Sequence, residues 1–203
     1  MIEEWEKIEA KKALKIMEEI NPHIDPVPFN IETTAVRISK LPFYKDYNFY
    51  ELTDLSVVPG VKKYAIYKAG DVHVINWTNQ TIYDVNEKAP IDINEKTLAS
   101  YVNFFFSYVR GRHGRFLITQ SVDDIQWQSE PPPQGRKVIE EMIKPISLKG
   151  KDDDGTYNLE AYMIFKDSLF KTEVHVAPDG AVSLSNEELK IEGMPVAPDG
   201  VHV

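Results

Sequence analysis

Residues 94–109 read NEKTLASYVNFFFSYV and include the longest aromatic run of the chain, so this stretch decides the expected fold. Asn94 is a suitable helix N-cap, and Glu95 lies in the first turn, where a negative charge complements the helix dipole. At about 100° per residue, the apolar side chains cover more than half of the helix circumference and leave a narrow polar strip. A helix this apolar is buried. We therefore predict an α+β protein in which a mostly antiparallel sheet packs on one long apolar helix at 94–109.

Strand-like patterns lie on both sides of this helix. Short runs of β-branched and aromatic residues are separated by turn residues, such as Gly70 between two of the runs. The expected strands are 36–41, 47–52, 64–68, 72–76 and 81–85 before the helix, and 115–119, 146–149, 157–165, 170–176 and 181–184 after it. Tight turns between consecutive runs favour antiparallel pairing.

The chain is expected to form a single domain with an N-terminal extension. Residues 1–20 have the apolar spacing of an amphipathic helix, which either docks on its own domain or packs against a partner. Three prolines make residues 21–30 a proline-rich connector. Residues 31–203 then form one α+β domain with a short helix at 136–144. A proline-containing loop at 129–135 is the best candidate for an internal boundary.

Composition excludes several classes of protein. The 203 residues contain no cysteine, which rules out a disulfide scaffold, a thiolate zinc site, an iron–sulfur cluster and a cysteine nucleophile. Lys and Arg total 23 against 32 Asp and Glu, a net charge of −9, so nucleic acid and anionic membranes are not expected as partners. The acidic N-terminus is unlike a signal peptide, and no run approaches the roughly 20 apolar residues of a membrane span. We therefore expect a soluble, cytoplasmic protein.

One cluster of positive charge interrupts this acidic chain, at Arg110-Gly111-Arg112-His113-Gly114-Arg115. Arginine binds carboxylate or phosphate, and glycine lets the backbone approach a ligand closely. The candidate residues for binding a small anion or an acidic partner are Arg110, Arg112, His113 and Arg115. The same segment also suits a helix C-terminus, because cations complement the dipole and glycine ends the helix. The sequence leaves both interpretations open.

Two carboxylate–x–histidine pairs, Asp71 with His73 and Glu173 with His175, lie on expected strands. Side chains two residues apart project from the same face, so the pairs would form a metal site if the two strands were neighbours. Valines at the alternate positions instead favour a buried valine face, which leaves the histidines on the solvent-exposed face of each sheet. We therefore expect neither a metal nor a cofactor. The candidates for a scattered acid–base pair are Glu51, Asp54, His73, His113 and His175.

No serine-elbow, phosphate-loop, helical zinc or dinucleotide-binding motif occurs in the sequence. This favours a non-catalytic domain of a regulatory or immunity type, which binds a ligand or a protein partner and carries a small anion-binding patch at 110–115. A partner or a second copy would engage the helix at 1–20. The alternative is a small hydrolase or lyase that uses histidine acid–base chemistry in a pocket beneath the central helix.

Overall fold

The computed structural model describes residues 4–197, so the first three and last six residues of the predicted extension and domain lie outside the described part. Within that range the chain is α+β, as predicted, with four α-helices and two antiparallel sheets of five strands each. The strands therefore form two sheets rather than the single sheet expected. No helix within residues 4–197 is long and apolar enough to cross a membrane.

Contacts between residues divide the chain into two compact units, and a single domain over 31–203 stays a prediction. The first unit ends at Asp92 and the second begins at Ile93, just before the apolar helix. The loop at 129–135 lies inside the second unit. Each unit contains one of the two sheets.

The first unit is a meander in which each strand pairs with the next, in the order β1-β2-β3-β4-β5. Helix α1 covers one face of this sheet, where its Ile16, Met17 and Ile20 share a buried core with Val36 and Leu52. Burial of each such side chain contributes about 1.5–3 kcal/mol. The elements are β1 (Glu6–Lys7), α1 (Ala10–Ile20), β2 (Thr34–Lys40), β3 (Asn48–Asp54), β4 (Val61–Lys68), β5 (Asp71–Val74) and α2 (Asn79–Lys88).

The N-terminal helix is shorter than the predicted 1–20, because it begins at Ala10. The residues before it form strand β1, which pairs antiparallel with β2. Ile8 explains the difference. It falls outside the apolar stripe of the expected helix, yet it is buried, and its N–H donates to Val36 O at 3.2 Å. The extended segment that follows β1 buries Ile8 and pairs its N–H with β2, whereas a helix in this register would leave the side chain exposed.

The connector at 21–30 is folded back on itself. A single 3-10 turn occupies Asn21–His23. The Asn21 side chain then closes the segment, because its Nδ2 donates to Phe29 O at 2.8 Å and its Oδ1 accepts from Phe29 N–H at 3.2 Å. One amide thus holds both ends of the proline-rich stretch.

The second unit has the strand order β10-β9-β8-β6, with β7 also paired to β8. Its elements are α3 (Leu98–Tyr108), β6 (Phe116–Ile118), α4 (Pro133–Met142), β7 (Ser147–Lys151), β8 (Tyr157–Phe165), β9 (Ser168–Val176) and β10 (Val182–Ile191).

Helix α3 lies within the predicted range 94–109 but spans only Leu98–Tyr108, about three turns, so a single long helix that carries the sheet stays a prediction. The Asn94 side chain accepts from Lys96 N–H at 2.9 Å, so residues 94–97 form a separate turn before the helix begins at Leu98. Most of the helix is buried, and Tyr101 Oη donates to Gly180 O at 2.6 Å, in the turn between β9 and β10. This hydrogen bond ties α3 to the second sheet.

Helix α4 replaces both the second half of the expected loop at 129–135 and the short helix expected at 136–144. It begins at Pro133, the third proline of the run, because proline at the first helical position loses no hydrogen bond. Ile139 and Ile143 pack with Tyr162, Ile164 and Leu169 in the core of this unit.

The predicted strand at 81–85 is wrong, because these residues belong to α2. Asn76 Oδ1 accepts from the N–H of Thr78 at 3.0 Å and from the hydroxyls of Thr78 and Thr81 at 2.7 and 2.9 Å. These hydrogen bonds hold the residues just before α2 in the conformation from which the helix begins. Thr81, Ile82 and Val85 then form the buried stripe of one helical face, whereas the β-branched and aromatic composition of 81–85 resembles that of a short strand.

Candidate functional site

The basic turn, defined as residues 110–115, connects α3 to β6. Gly111 N–H donates to Gly114 O at 2.9 Å, and Gly114 N–H donates to Gly111 O at 3.2 Å. The two glycines therefore close a tight turn that carries Arg112 and His113 at its tip.

Three of the four candidate residues in the basic turn project into solvent. Arg110, Arg112 and His113 are exposed, and none of them forms an ion pair or a side-chain hydrogen bond with any residue from 4 to 197. The many carboxylates of the chain do not neutralise them within that range. Their donors are therefore available to a molecule from outside.

Arg115 has a different role from the other three residues. It is half-buried, and its Nη1 donates to Ser107 O at 2.9 Å, one of the last carbonyls of α3. A cation in this position satisfies a terminal carbonyl and complements the negative end of the helix dipole. The helix-end interpretation therefore describes Arg115, while Arg110, Arg112 and His113 stay candidates for ligand binding.

Gly114 holds the shape of the basic turn. Its φ of 136° is in the region that side chains rarely adopt, and a Cβ there would lie 3.2 Å from the Phe165 ring. The ring of Phe165 is itself stacked on Phe116, with 4.5 Å between the ring centroids. A glycine is required where the turn meets this aromatic pair.

The two histidine pairs lie in different sheets, so their strands are not neighbours and the metal site considered from the sequence does not form. Strand β5 carries Asp71 and His73 in the first sheet, and β9 carries Glu173 and His175 in the second. Among residues 4–197, no group of three or more His, Asp and Glu side chains could hold a metal ion.

His175 is a cross-strand residue of the second sheet. Its Nδ1 lies 2.6 Å from Asn158 Oδ1 on β8, and its Nε2 lies 2.6 Å from Ser185 Oγ on β10. Asn158 is oriented by its Nδ2, which donates to Asp152 at 2.7 Å. Because the Asn158 oxygen can only accept, the proton of a neutral His175 sits on Nδ1. The imidazole thus links three strands.

Asp71 is the centre of a polar cluster at the edge of the first sheet. It accepts from Tyr47 Oη at 2.6 Å and from Lys88 Nζ at 3.1 Å. The nearly buried His73 places Nε2 3.1 Å from the same carboxylate, at ion-pair distance but without hydrogen-bond geometry. The Tyr47 hydrogen bond, followed by Lys88 and His73, lowers the pKa of Asp71 to about 2. Burial, together with the Asp71 hydrogen bond and charge, raises the pKa of Tyr47 to about 12.

Glu51 is a buried carboxylate on the middle strand of the first sheet, with 3% of its surface exposed. Arg37 donates to its Oε1 through Nε at 2.8 Å and Nη2 at 2.5 Å, and Lys62 donates to its Oε2 at 3.2 Å. Burial raises the pKa of Glu51, but the hydrogen bonds and charges of Arg37 and Lys62 outweigh it and hold the pKa below 4.5. Glu51 is thus an ionised partner of two cations, which does not suit a general acid.

Asp54 stabilises the turn after β3. Its Oδ1 accepts from Ser56 N–H at 2.9 Å and from Thr33 Oγ1 at 3.1 Å. The Ser56 backbone hydrogen bond, with smaller help from the Ser56 and Thr33 side chains, lowers the pKa of Asp54. These contacts do not connect Asp54 to Glu51.

An open groove, which the sequence did not reveal, lies between α1 and the outer edge of β2. We call it the α1–β2 groove. It has a volume of about 640 Å³. The lining residues are Lys7, Ile8, Glu9, Ala10, Ala13, Glu32, Thr33, Thr34, Ala35, Val36 and Leu55. The two helix positions that face it carry only methyl groups, at Ala10 and Ala13, and this leaves the space open.

Comparison with known proteins adds no family to this description. No protein-family model matches the chain, and neither a curated protein nor a solved structure matches it significantly.

Proposed function

We propose that this protein is a non-catalytic binding domain of a regulatory or immunity type, whose basic turn contacts a carboxylate or phosphate group of its ligand. The observation that carries the proposal is the set of three basic side chains, Arg110, Arg112 and His113, without partners among the described residues. In a chain with 32 acidic residues, these three basic side chains lie within four consecutive positions, so their positive charges add at one surface turn.

The shape of the basic turn supports this assignment. Two backbone hydrogen bonds close the turn, and Gly114 is packed against Phe165. A turn held in this way loses little conformational freedom when it binds, so more of the interaction energy appears as affinity. Arginine also offers several donors in a planar fork that matches carboxylate and phosphate oxygens.

The hydrolase or lyase alternative has less support from the contacts of its candidate residues. Glu51 is paired with two cations, and His175 is hydrogen-bonded on both ring nitrogens. His113 stands at the exposed tip of the basic turn. Such a position gives no water-excluded environment for acid–base chemistry.

The proposal predicts that charge removal in the basic turn weakens anion binding without unfolding the protein. We expect Arg110→Ser with Arg112→Ser to weaken binding of inorganic phosphate and of an oligoglutamate peptide by about tenfold or more, since charge-assisted hydrogen bonds are lost. Isothermal titration calorimetry measures the affinities, and the melting temperature should stay close to that of the wild type.

The matched control removes the same charge elsewhere, through Lys40→Ser with Lys144→Ser. Both lysines are exposed and have no ion pair among residues 4–197. Anion affinities that fall equally in the two double variants would show only a general effect of net charge and would contradict a site at the basic turn.

A further inference from the structure

The outer edge of β2 is only partly covered by β1. In the pairing of these strands, β1 reaches Arg37 and Ile38 of β2, and Ile8 N–H adds one bond to Val36 O at 3.2 Å. The chain then leaves the edge and enters α1 at Ala10. Within the described residues, no strand lies beside Thr34 on this side.

The backbone of Thr34 points toward this uncovered edge. In an antiparallel strand, the N–H and C=O of a residue point to the same side, and successive residues alternate. Thr33 O accepts from Leu55 N–H at 2.9 Å on the β3 side, whereas Val36 O accepts from Ile8 on the β1 side. Thr34 is two residues before Val36 and therefore points to the same side of β2. Its N–H and C=O face outward, as in an edge strand that can accept a further strand.

The α1–β2 groove lies at the same edge and offers space for side chains. Ala10 and Ala13 leave it open on the helix side, and Leu55, which is 63% exposed, lines it on the other. Nearby in sequence, Ile31 and Val58 are also exposed, by 40% and 98%. Exposed apolar groups that accompany an open edge are typical of a protein-binding surface.

The charge of the groove indicates which partner fits. Its lining contains two carboxylates, Glu9 and Glu32, and one ammonium group, Lys7. All three are exposed, and none forms an ion pair within residues 4–197. The excess negative charge favours a segment that carries Lys or Arg next to its apolar side chains.

We propose that the edge of β2 and the α1–β2 groove together bind an extended, basic segment of a partner polypeptide, which adds a strand to the first sheet. Backbone hydrogen bonds at Thr34 provide the alignment, an apolar side chain of the segment enters the groove between α1 and β2, and Glu9 and Glu32 contact its basic residues. Strand addition of this kind is a general mode of peptide recognition. The residues of this surface belong to the first unit, whereas the basic turn belongs to the second.

The proposal is tested with a fluorescein-labelled peptide in which valine alternates with lysine, measured by fluorescence anisotropy against the full chain. We expect saturable binding, and weaker binding of a peptide in which glutamate replaces lysine. Thr34→Pro removes the outward N–H and should weaken binding by about fivefold to tenfold, the effect of losing one hydrogen bond. Thr34→Ala keeps the N–H and is the matched control, with affinity close to wild type.

A second variant tests the groove independently of the backbone. Ala10→Phe fills the groove from an exposed helix position and should reduce peptide binding at least tenfold, whereas Lys11→Phe, at the neighbouring exposed position outside the lining, should not. Hydrogen exchange followed by NMR should show slower exchange of the Thr34 amide when the peptide is bound.

Three results would overturn the proposal. The first is no anisotropy change with the valine–lysine peptide at about 1 mM protein, which would put the Kd above the millimolar range. The second is equal affinity of wild type, Thr34→Pro and Ala10→Phe. The third is a chain that is dimeric alone and becomes monomeric with Ala10→Phe, since a second copy would then occupy the groove. The double variant Arg110→Ser with Arg112→Ser should bind the peptide normally, so failure of the basic-turn proposal is distinguishable.

Discussion

At the scale of single residues, the charge of Glu51 is balanced by its cross-strand neighbours. Arg37 on β2 and Tyr64 on β4 lie directly opposite it in the sheet register, and Lys62 approaches from the same face. Arg37 also lies over the Trp5 ring, 5.4 Å from its centroid. Because Arg37 and Lys62 remain about 40% exposed, water solvates part of their charge. The buried Glu51 carboxylate is instead stabilised by these two cations.

Replacement of Glu51 by glutamine should therefore destabilise the protein. We expect Glu51→Gln to lower the free energy of unfolding by about 1–3 kcal/mol, because a buried amide cannot reproduce three charge-assisted hydrogen bonds. Urea unfolding followed by circular dichroism measures the change. Glu140→Gln, at an exposed position of α4, is the control and should stay within about 0.5 kcal/mol of wild type. A Glu51 variant as stable as this control would show that the ion pairs contribute nothing.

At the scale of elements, α2 depends on hydrogen bonds before its first residue. Helix α2 has no acidic residue in its first turn, and the side chain of its N-cap residue, Thr78, makes no capping bond to the helix. Asn76 instead accepts three hydrogen bonds from Thr78 and Thr81 and fixes the approach of the chain. The helix start thus rests on one asparagine.

We predict that Asn76→Ala lowers the free energy of unfolding by about 1 kcal/mol, the usual effect of losing a cap at a helix start. Asn79→Ala is the matched control, since Asn79 is exposed and already inside α2. Alanine has the better helix propensity there, so this control should be neutral or slightly stabilising. Thermal melts measure the stability of both variants. If Asn76→Ala is as stable as Asn79→Ala, Asn76 does not stabilise the start of α2.

At the scale of the whole molecule, stability should be greatest between two pH limits. The pKa of Asp71 is lowered to about 2 from 3.8, and the pKa values of Tyr47 and Tyr67 are raised to about 12 from 10.0. Burial is the main cause for Tyr67, with a contribution from its hydrogen bond to Glu19. On the acid side, the unfolded chain takes up the Asp71 proton first, and on the alkaline side it loses the tyrosine protons first.

The melting temperature should therefore fall as the pH drops from about 4 to about 2, and fall again as it rises from about 10 to about 12. Differential scanning fluorimetry over this range measures both limbs. Tyr47→Phe should flatten the alkaline limb, and Asp71→Asn should flatten the acid limb. Limbs identical in the wild type and these variants would show that the Tyr47–Asp71 pair does not control the pH dependence.

Local patterns in the sequence determined the α+β composition and many of the elements. Strand β8 has the predicted bounds of Tyr157–Phe165, and the apolar helix occupies most of its predicted range. These elements were predictable because the spacing of apolar residues depends only on the geometry of one helix or one strand. The concentration of basic residues at 110–115 is also visible in the sequence itself.

The tertiary structure alone decided which strands are neighbours and which polar groups meet. The pattern of a strand shows the face it buries but not the strand it pairs with, so neither the two sheets nor the placement of His73 and His175 in different sheets could be predicted. Ile8 bonds to Val36 and Arg115 bonds to Ser107 because of partners elsewhere in the chain. The α1–β2 groove exists for the same reason: it is the space left when a helix with Ala10 and Ala13 lies against a partly covered strand edge.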